Sequence, residues 1–302
     1  MDLLQVIFPV AGIKTYLFIP PVVAFTISFF TSMAGISGAF LLLPFQMSVL
    51  GFTTTSVTST NFLFNVTGTP GGVYRYIKEC RFAWPVALII VAGIIPGVLI
   101  GYYIRIKFLP DPKSFKLFVG FVLLFVALKL IKDAWAKSSG GQDKSCSLKD
   151  RVEDASISLK KTRFGFRNVT HSFSTGGLLG LAFAVGIVGG VYGIGGGSII
   201  APFLITLFKL PVYTIAGAVL LGTFTSSVAG VAFYSLIPVN GIVAPPDWML
   251  GILFGAGGLM GMYFGAKMKK YIPEKWIKLI LGIIVFIIAS RYILRFFIQQ
   301  FS

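Results

Sequence analysis

Apolar residues dominate long runs of this chain, at about 16–34, 39–50, 56–74, 84–104 and 114–135, and the breaks between runs are charged or rich in proline and glycine. Residues 136–171 form one sustained polar stretch, after which the series restarts at 174–192, 197–208, 212–237, 248–268 and 276–298. Runs of this kind fit the bilayer interior, where only helices or closed barrels satisfy the backbone. Barrel strands would alternate polar and apolar residues, and these runs do not. The pattern predicts an all-α membrane protein of about ten transmembrane segments. Its parts are a first transmembrane repeat over 1–136, a cytoplasmic linker over 137–171 and a second repeat over 172–302. The first positive charge, Lys14, follows the opening residues. With no basic region before it and no small-residue cleavage site after it, 16–34 reads as a retained span.

Composition agrees and narrows the function. Of the 302 residues 56% are apolar, and 12% are charged, against about 25% in a soluble domain. The mean hydropathy is +0.88. The formal charge of +16 comes from 26 Lys+Arg against 10 Asp+Glu, and belongs to loops facing a membrane surface. A solvated basic domain that could hold nucleic acid is lacking. Cys80, Cys146 and the single His171 supply neither a metal cluster nor a disulfide framework. No metal, cofactor or catalytic set is expected. The predicted partners are the lipid bilayer and a small substrate, with the oligomeric state left open.

The two halves repeat. Gly35-Ile36-Ser37-Gly38-Ala39 through Pro44 aligns with Gly193-Ile194-Gly195-Gly196-Gly197 through Pro202, at an offset of 158. Keeping that offset, Asn65 falls on Thr223, Thr69 on Ser227 and Tyr76 on Tyr234. Later, Gly97 and Gly101 match Gly261 and Gly265, and the segment ending at Gly120 matches that ending at Gly282. Five runs per half is an odd number, which inverts the second repeat relative to the first. The positive-inside rule supports this. The linker carries eight Lys/Arg against four acids, loop 267–278 carries five Lys/Arg, and loop 236–247 carries none. The group Arg105, Lys107, Lys113 and Lys116 is the exception, since inversion puts these cations outside.

The short runs 39–50 and 197–208 cannot cross ~30 Å of hydrocarbon at ~1.5 Å per residue. Each follows a glycine cluster, and short glycine-interrupted segments at matching positions of two repeats point to a transporter's substrate site. There an unwound backbone exposes N–H groups, and the restarting helix presents its positive end to an anion. Ser37, Gly38, Gly195, Gly196, Gly197 and Ser198 are the candidates. The alternative is that these glycines serve close helix packing, which is the reading preferred for the Gly97/Gly101 and Gly261/Gly265 pairs. Asn61, Asn65 and Thr69 share a helix face at spacings of four and read as a polar lining, with Thr223 and Ser227 as their counterparts. Thr67 and Thr225 read as interhelical glue. Arg75 is the best placed cation to draw anions in, or else a plain positive-inside anchor.

All ten acids fall in termini, loops or span ends. Proton and cation carriers keep a carboxylate in the membrane despite its cost, so the interior suits a small anion. Two half-repeats with Gly-Ile-x-Gly-[Ala/Gly]-x-x-x-x-Pro segments, each followed by a Ser/Thr/Asn-rich span, resemble the TauE/SafE sulfite exporter family over roughly 18–136 and 175–298. The first half departs from the glycine-rich form at Ser37 and Ala39. The resemblance implies a secondary transporter in the cytoplasmic (inner) membrane, working by alternating access. Its cargo would be sulfite or an organosulfonate such as sulfoacetate, and its direction export or uptake, with export preferred. Thiosulfate or a carboxylate as the anion, and a non-transporting membrane subunit, are the alternatives. An intramembrane enzyme has no nucleophile–base or carboxylate pair in the spans to work with.

Overall fold

The computed structural model describes residues 5–34, 36–70, 73–74, 83–135, 153–156, 158, 161–166, 169–210, 212–268, 271 and 273–301. Ten helices are present among them: α1 (Ile19–Ala34), α2 (Ala39–Ser48), α3 (Ser56–Gly68), α4 (Trp84–Lys107), α5 (Pro112–Trp135), α6 (Thr175–Tyr192), α7 (Gly196–Thr206), α8 (Val212–Leu236), α9 (Trp248–Met268) and α10 (Glu274–Phe301). They coincide with the ten apolar runs. Six of them, α4, α5, α6, α8, α9 and α10, are long and apolar enough to cross a membrane. The other four are shorter, with 16, 10, 13 and 11 residues in α1, α2, α3 and α7.

The chain is mostly helical rather than all-α, and the exceptions lie outside the bundle. Strands β1 (Gln5–Phe8) and β2 (Ile13–Tyr16) pair antiparallel around a turn that closes at Gly12. Strands β3 (Glu153–Ser156), β4 (Lys161–Phe166) and β5 (Val169–Ser174) form a second antiparallel sheet. The expected linker is therefore partly folded. Phe164 and Phe173 are buried under it, and Thr162 Oγ1 lies 2.8 Å from Thr175 Oγ1 at the start of α6. A search for membrane runs alone passes over strands of four to six residues, because each is too short to register beside spans of twenty.

Glycines set how the long helices pair. On α4, Gly93, Gly97 and Gly101 face Ala182, Gly186 and Gly190 of α6 in rising order, so these two helices run parallel. On α9, Gly257, Gly261 and Gly265 face Pro21, Phe25 and Phe29 of α1 in the same parallel sense. Helices α5 and α10 are antiparallel: Gly120 meets Tyr292 and Ile293, and Gly282 meets Leu130 and Ile131. A methyl on Gly101 would fall 2.8 Å from Gly190 Cα, and one on Gly186 2.6 Å from Ile94 O. Close approach of backbones replaces the hydrophobic drive that lipid cannot supply, which is the packing role expected of the Gly97/Gly101 and Gly261/Gly265 pairs.

One end of the bundle carries the β1–β2 hairpin. Ala11 N–H donates to Asp247 Oδ2, Asp247 N–H donates to Thr60 Oγ1, and Ser59 Oγ donates to Ala244 O, lacing the hairpin and loop 237–247 onto α3. The three-stranded sheet marks the opposite end. The short helices both begin inside and leave towards different ends. Helix α7 starts with Gly196 against Ile94, near the midpoint of α4, and finishes where Phe208 meets Phe173 of β5. Helix α2 starts with Gly38 beside Ser28 and Phe64 and finishes with Ser48 Oγ 2.6 Å from the Tyr292 hydroxyl, near the hairpin end.

Candidate functional site

The interior starts of α2 and α7 are joined through α3. Asn61, fully buried, donates from Nδ2 to Ala39 O at 3.2 Å and to Gly193 O at 3.1 Å, and its Oδ1 accepts from Gln46 Nε2 at 3.4 Å. The Tyr192 hydroxyl adds a second tie, donating to Phe40 O at 2.8 Å. Asn61 thus bridges the first residue of α2 and the turn before α7, and both its N–H groups are spent. A substrate would have to break those bonds to use them.

Asn65, one turn further along α3, is different. It is 2% exposed and its Nδ2 has no hydrogen-bond partner. Ser227 on α8 is also fully buried, with an unpartnered Oγ. Helices α3 and α8 cross antiparallel: Phe62 packs on Gly230 and on the Tyr234 ring, while Thr58 engages the Tyr234 hydroxyl. One more turn in that register brings Asn65 to the level of Ser226 and Ser227. Ser227 also faces Gly195, where a methyl would sit 3.0 Å from Ser227 Oγ, 3.1 Å from Ser226 Oγ and 2.9 Å from Thr223 Cγ2. Gly195 is the N-cap of α7 with φ +72°, a conformation that suits glycine. The start of α7 therefore looks onto a cluster of hydroxyls near the midpoint of α8.

The remaining candidates divide clearly. Gly196 is wedged between Ile94 and Gly189, and Gly197 between Val219 O and Thr223, so close packing by itself accounts for the missing side chains there. Thr223 Oγ1 donates to Val219 O and Thr69 Oγ1 to Asn65 O, each within or at the end of its own helix. Ser37 Oγ accepts from Ala39 N–H at 3.2 Å, and Gly38 is the N-cap of α2. A methyl on Gly38 would fall 2.7 Å from Ser28 Oγ, a buried hydroxyl with no partner. Ser198 is half-buried and its N–H reaches Gly195 O at 3.4 Å. Among the described residues Thr67 and Thr225 bond carbonyls of their own helices, and Thr67 also packs against Gly255 of α9. Arg75, Cys80 and Cys146 lie outside the described residues.

Sequence reasoning passed over two buried polar groups. Asp247 is 2% exposed and caps α9 by accepting from Leu250 N–H, as well as from Ala11. Arg105, counted as a loop charge, lies inside α4 with no exposed surface. Its position in the unbroken run Tyr102-Tyr103-Ile104-Arg105-Ile106 was the available signal, since a cation within a span is functional by default.

With this geometry in view, residues 21–292 match the family described as Sulfite exporter TauE/SafE. The chain belongs to that family. As a TauE/SafE protein with several apolar spans it is a multi-pass protein of the cell membrane and a membrane transporter. Two curated relatives carry transporter names. "Probable membrane transporter protein YunE" of Bacillus subtilis (strain 168) is 26% identical over 218 residues, 72% of this chain and 73% of that protein. "Probable membrane transporter protein YdhB" of the same organism is 29% identical over 118 residues, 39% of this chain and 46% of its own length. No solved structure matches the chain. Residues 21–292 run from near the start of α1 well into α10, so the TauE/SafE match takes in both interior helix starts.

Proposed function

We propose that this TauE/SafE protein is a secondary carrier for a small sulfur-containing anion, sulfite or an organosulfonate such as sulfoacetate. The anion binds where α2 and α7 begin. One observation carries the reading: two helices start in the bundle interior and leave towards opposite ends, beside buried polar atoms with no partner, Asn65 Nδ2, Ser227 Oγ and Ser28 Oγ. Each helix start is worth about +0.5 of an elementary charge. Among the described residues the acids are Asp111, Asp133, Glu153, Asp154, Asp247 and Glu274, and all sit at helix ends or in the linker sheet. A dry, positively polarised centre with spare hydrogen-bond donors favours an oxyanion over a cation.

The antiparallel α5–α10 pair supports two inverted five-segment repeats, because helices in matching positions of inverted repeats run in opposite directions. So do the opposite exits of α2 and α7. Alternating access then consists of one repeat rocking against the other about the crossing of α3 and α8. The basic 137–170 segment faces the cytoplasm, which leaves the β1–β2 hairpin outside. Export is the direction taken for the anion, in line with the family description. Of the candidate residues, Asn65 and Ser227 hold the anion, while Asn61 joins the repeats.

The test is flux. Proteoliposomes loaded with radiolabelled sulfite should lose it faster than empty-protein controls, and Asn65→Ala combined with Ser227→Ala should slow the loss at least about tenfold, the cost of one to two charge-assisted hydrogen bonds. Unlabelled thiosulfate and a carboxylate, added as competitors, report the alternative anions. Wild-type flux in the double variant removes the site, and sulfite binding without flux favours a non-transporting subunit.

A further inference from the structure

The strongest unassigned feature lies away from the centre, at Arg105. The guanidinium is held on three sides: Nε donates to Thr58 Oγ1 at 3.3 Å, Nη1 donates to Leu109 O, and Cζ stacks 3.6 Å from the centroid of the Phe115 ring. Thr58 Oγ1 in turn reaches Val191 O at 3.4 Å, and the Tyr234 hydroxyl, which donates to Gly190 O at 2.9 Å, borders the charge. Nη2 alone is buried and has no partner, and no carboxylate pairs with the group among the described residues. A cation so enclosed, with no counterion, is expensive unless an anion neutralises it. The rigid hold matters too. Thr58, Leu109 and Phe115 hold the rest of the fork, and Nη2, itself buried, is the nitrogen left without a bond.

Its position relates it to the central site. Arg105 lies about 16 Å along α4 from Ile94, the level at which α7 begins. It touches the first member of a buried polar stripe on α3, Thr58, Asn61, Asn65 and Thr69, which shares one helix face. On its other side α4 ends at Lys107, at the hairpin end of the bundle.

We infer that Arg105 is a second anion-coordinating residue, taking an inorganic oxyanion on Nη2 at the hairpin-end terminus of the α3 polar stripe, distinct from the central site and serving it as a way station. This deepens the carrier reading and rests on it. The test compares wild type, Arg105→Met and Arg105→Lys by thermal unfolding of the purified full-length protein, in sodium gluconate and with rising sodium sulfite or sodium sulfate. Wild type should gain stability with either oxyanion. In gluconate, Arg105→Met should unfold at the same or a higher temperature, because an uncompensated buried charge has gone, and its oxyanion midpoint should rise at least about tenfold. Arg105→Lys should keep a weakened response, having charge without the fork. An Arg105 that merely ties helices together would give the opposite sign, a lower unfolding temperature for Arg105→Met in gluconate with an unchanged oxyanion response. That result overturns the inference, as does a wild type indifferent to both oxyanions. Sulfite flux in proteoliposomes is scored separately: flux with an unchanged Arg105→Met response defeats the way station alone, and absent flux defeats the carrier reading.

Discussion

Asn61 and Asn65 are chemically identical, four residues apart on one buried face, yet the structure leaves them with opposite hydrogen-bonding states. Both N–H groups of Asn61 are committed, at 3.2 Å to Ala39 O and 3.1 Å to Gly193 O, while Nδ2 of Asn65 is unpartnered. Replacing Asn61 with Ala removes two bridging bonds and leaves Gln46 without its acceptor partner. Losing a buried partner costs about 1–3 kcal/mol per group, and interhelical bonds in membranes average ~0.6 kcal/mol. Two bonds therefore set a loss of about 1–6 kcal/mol. For a chain of this size each kcal/mol moves the unfolding temperature by roughly 2–4 °C, so a loss of about 2 kcal/mol should lower the unfolding temperature of Asn61→Ala by about 4–8 °C. Asn65→Ala loses no bond from Nδ2 and should stay within about 2 °C, while its sulfite flux falls. Thermal unfolding in detergent, read beside flux in proteoliposomes, separates the two. If Asn61→Ala unfolds at the wild-type temperature while Asn65→Ala is the destabilised one, the assignment of bridge and ligand is wrong.

Other outcomes follow from single contacts. Gly101→Leu puts a side chain where Gly190 Cα lies 2.8 Å from a bare methyl, and should cost about 1–3 kcal/mol and lower the yield of folded protein in detergent. Gly195→Ala must adopt φ +72° and intrude on Thr223 and Ser227, so stability should drop by about 1 kcal/mol or more, with flux falling further than stability explains. Asp247→Ala uncaps α9 and frees the hairpin, costing about 1–2 kcal/mol by thermal unfolding and increasing amide exchange at Ala11 and Leu250. Replacing Cys80 and Cys146 with Ser should leave sulfite flux unchanged, since the proposed site uses no thiol.

The fold was legible where the bilayer simplifies the problem. Ten apolar runs became ten helices, because hydrocarbon leaves the backbone no alternative to the helix. The glycine pairs on α4 and α9 could be read as packing seams from spacing alone. Less visible was the aqueous part: the β1–β2 hairpin and the linker sheet depend on contacts of a few residues, such as Ala11 with Asp247. At the site, sequence could place Asn61, Asn65, Thr223 and Ser227 on inward faces but could not tell which hydrogen bonds would be spent. Thr223 turned back to Val219 O and Asn61 bridged Ala39 O and Gly193 O, while Asn65 Nδ2 and Ser227 Oγ kept no partner. Arg105 was missed because a cation two residues from a helix end looks like an anchor until its burial is known.

In the proposed mechanism one interior site, at the starts of α2 and α7, opens to each side in turn. Ser227→Cys on a background lacking Cys80 and Cys146 tests it with a membrane-impermeant sulfonate-bearing thiol reagent, itself a small sulfur anion. Applied to proteoliposomes of sorted orientation, the reagent should label Cys at 227 from either side, and sulfite should slow both reactions. Labelling from one side alone, or labelling that sulfite leaves untouched, would contradict the account.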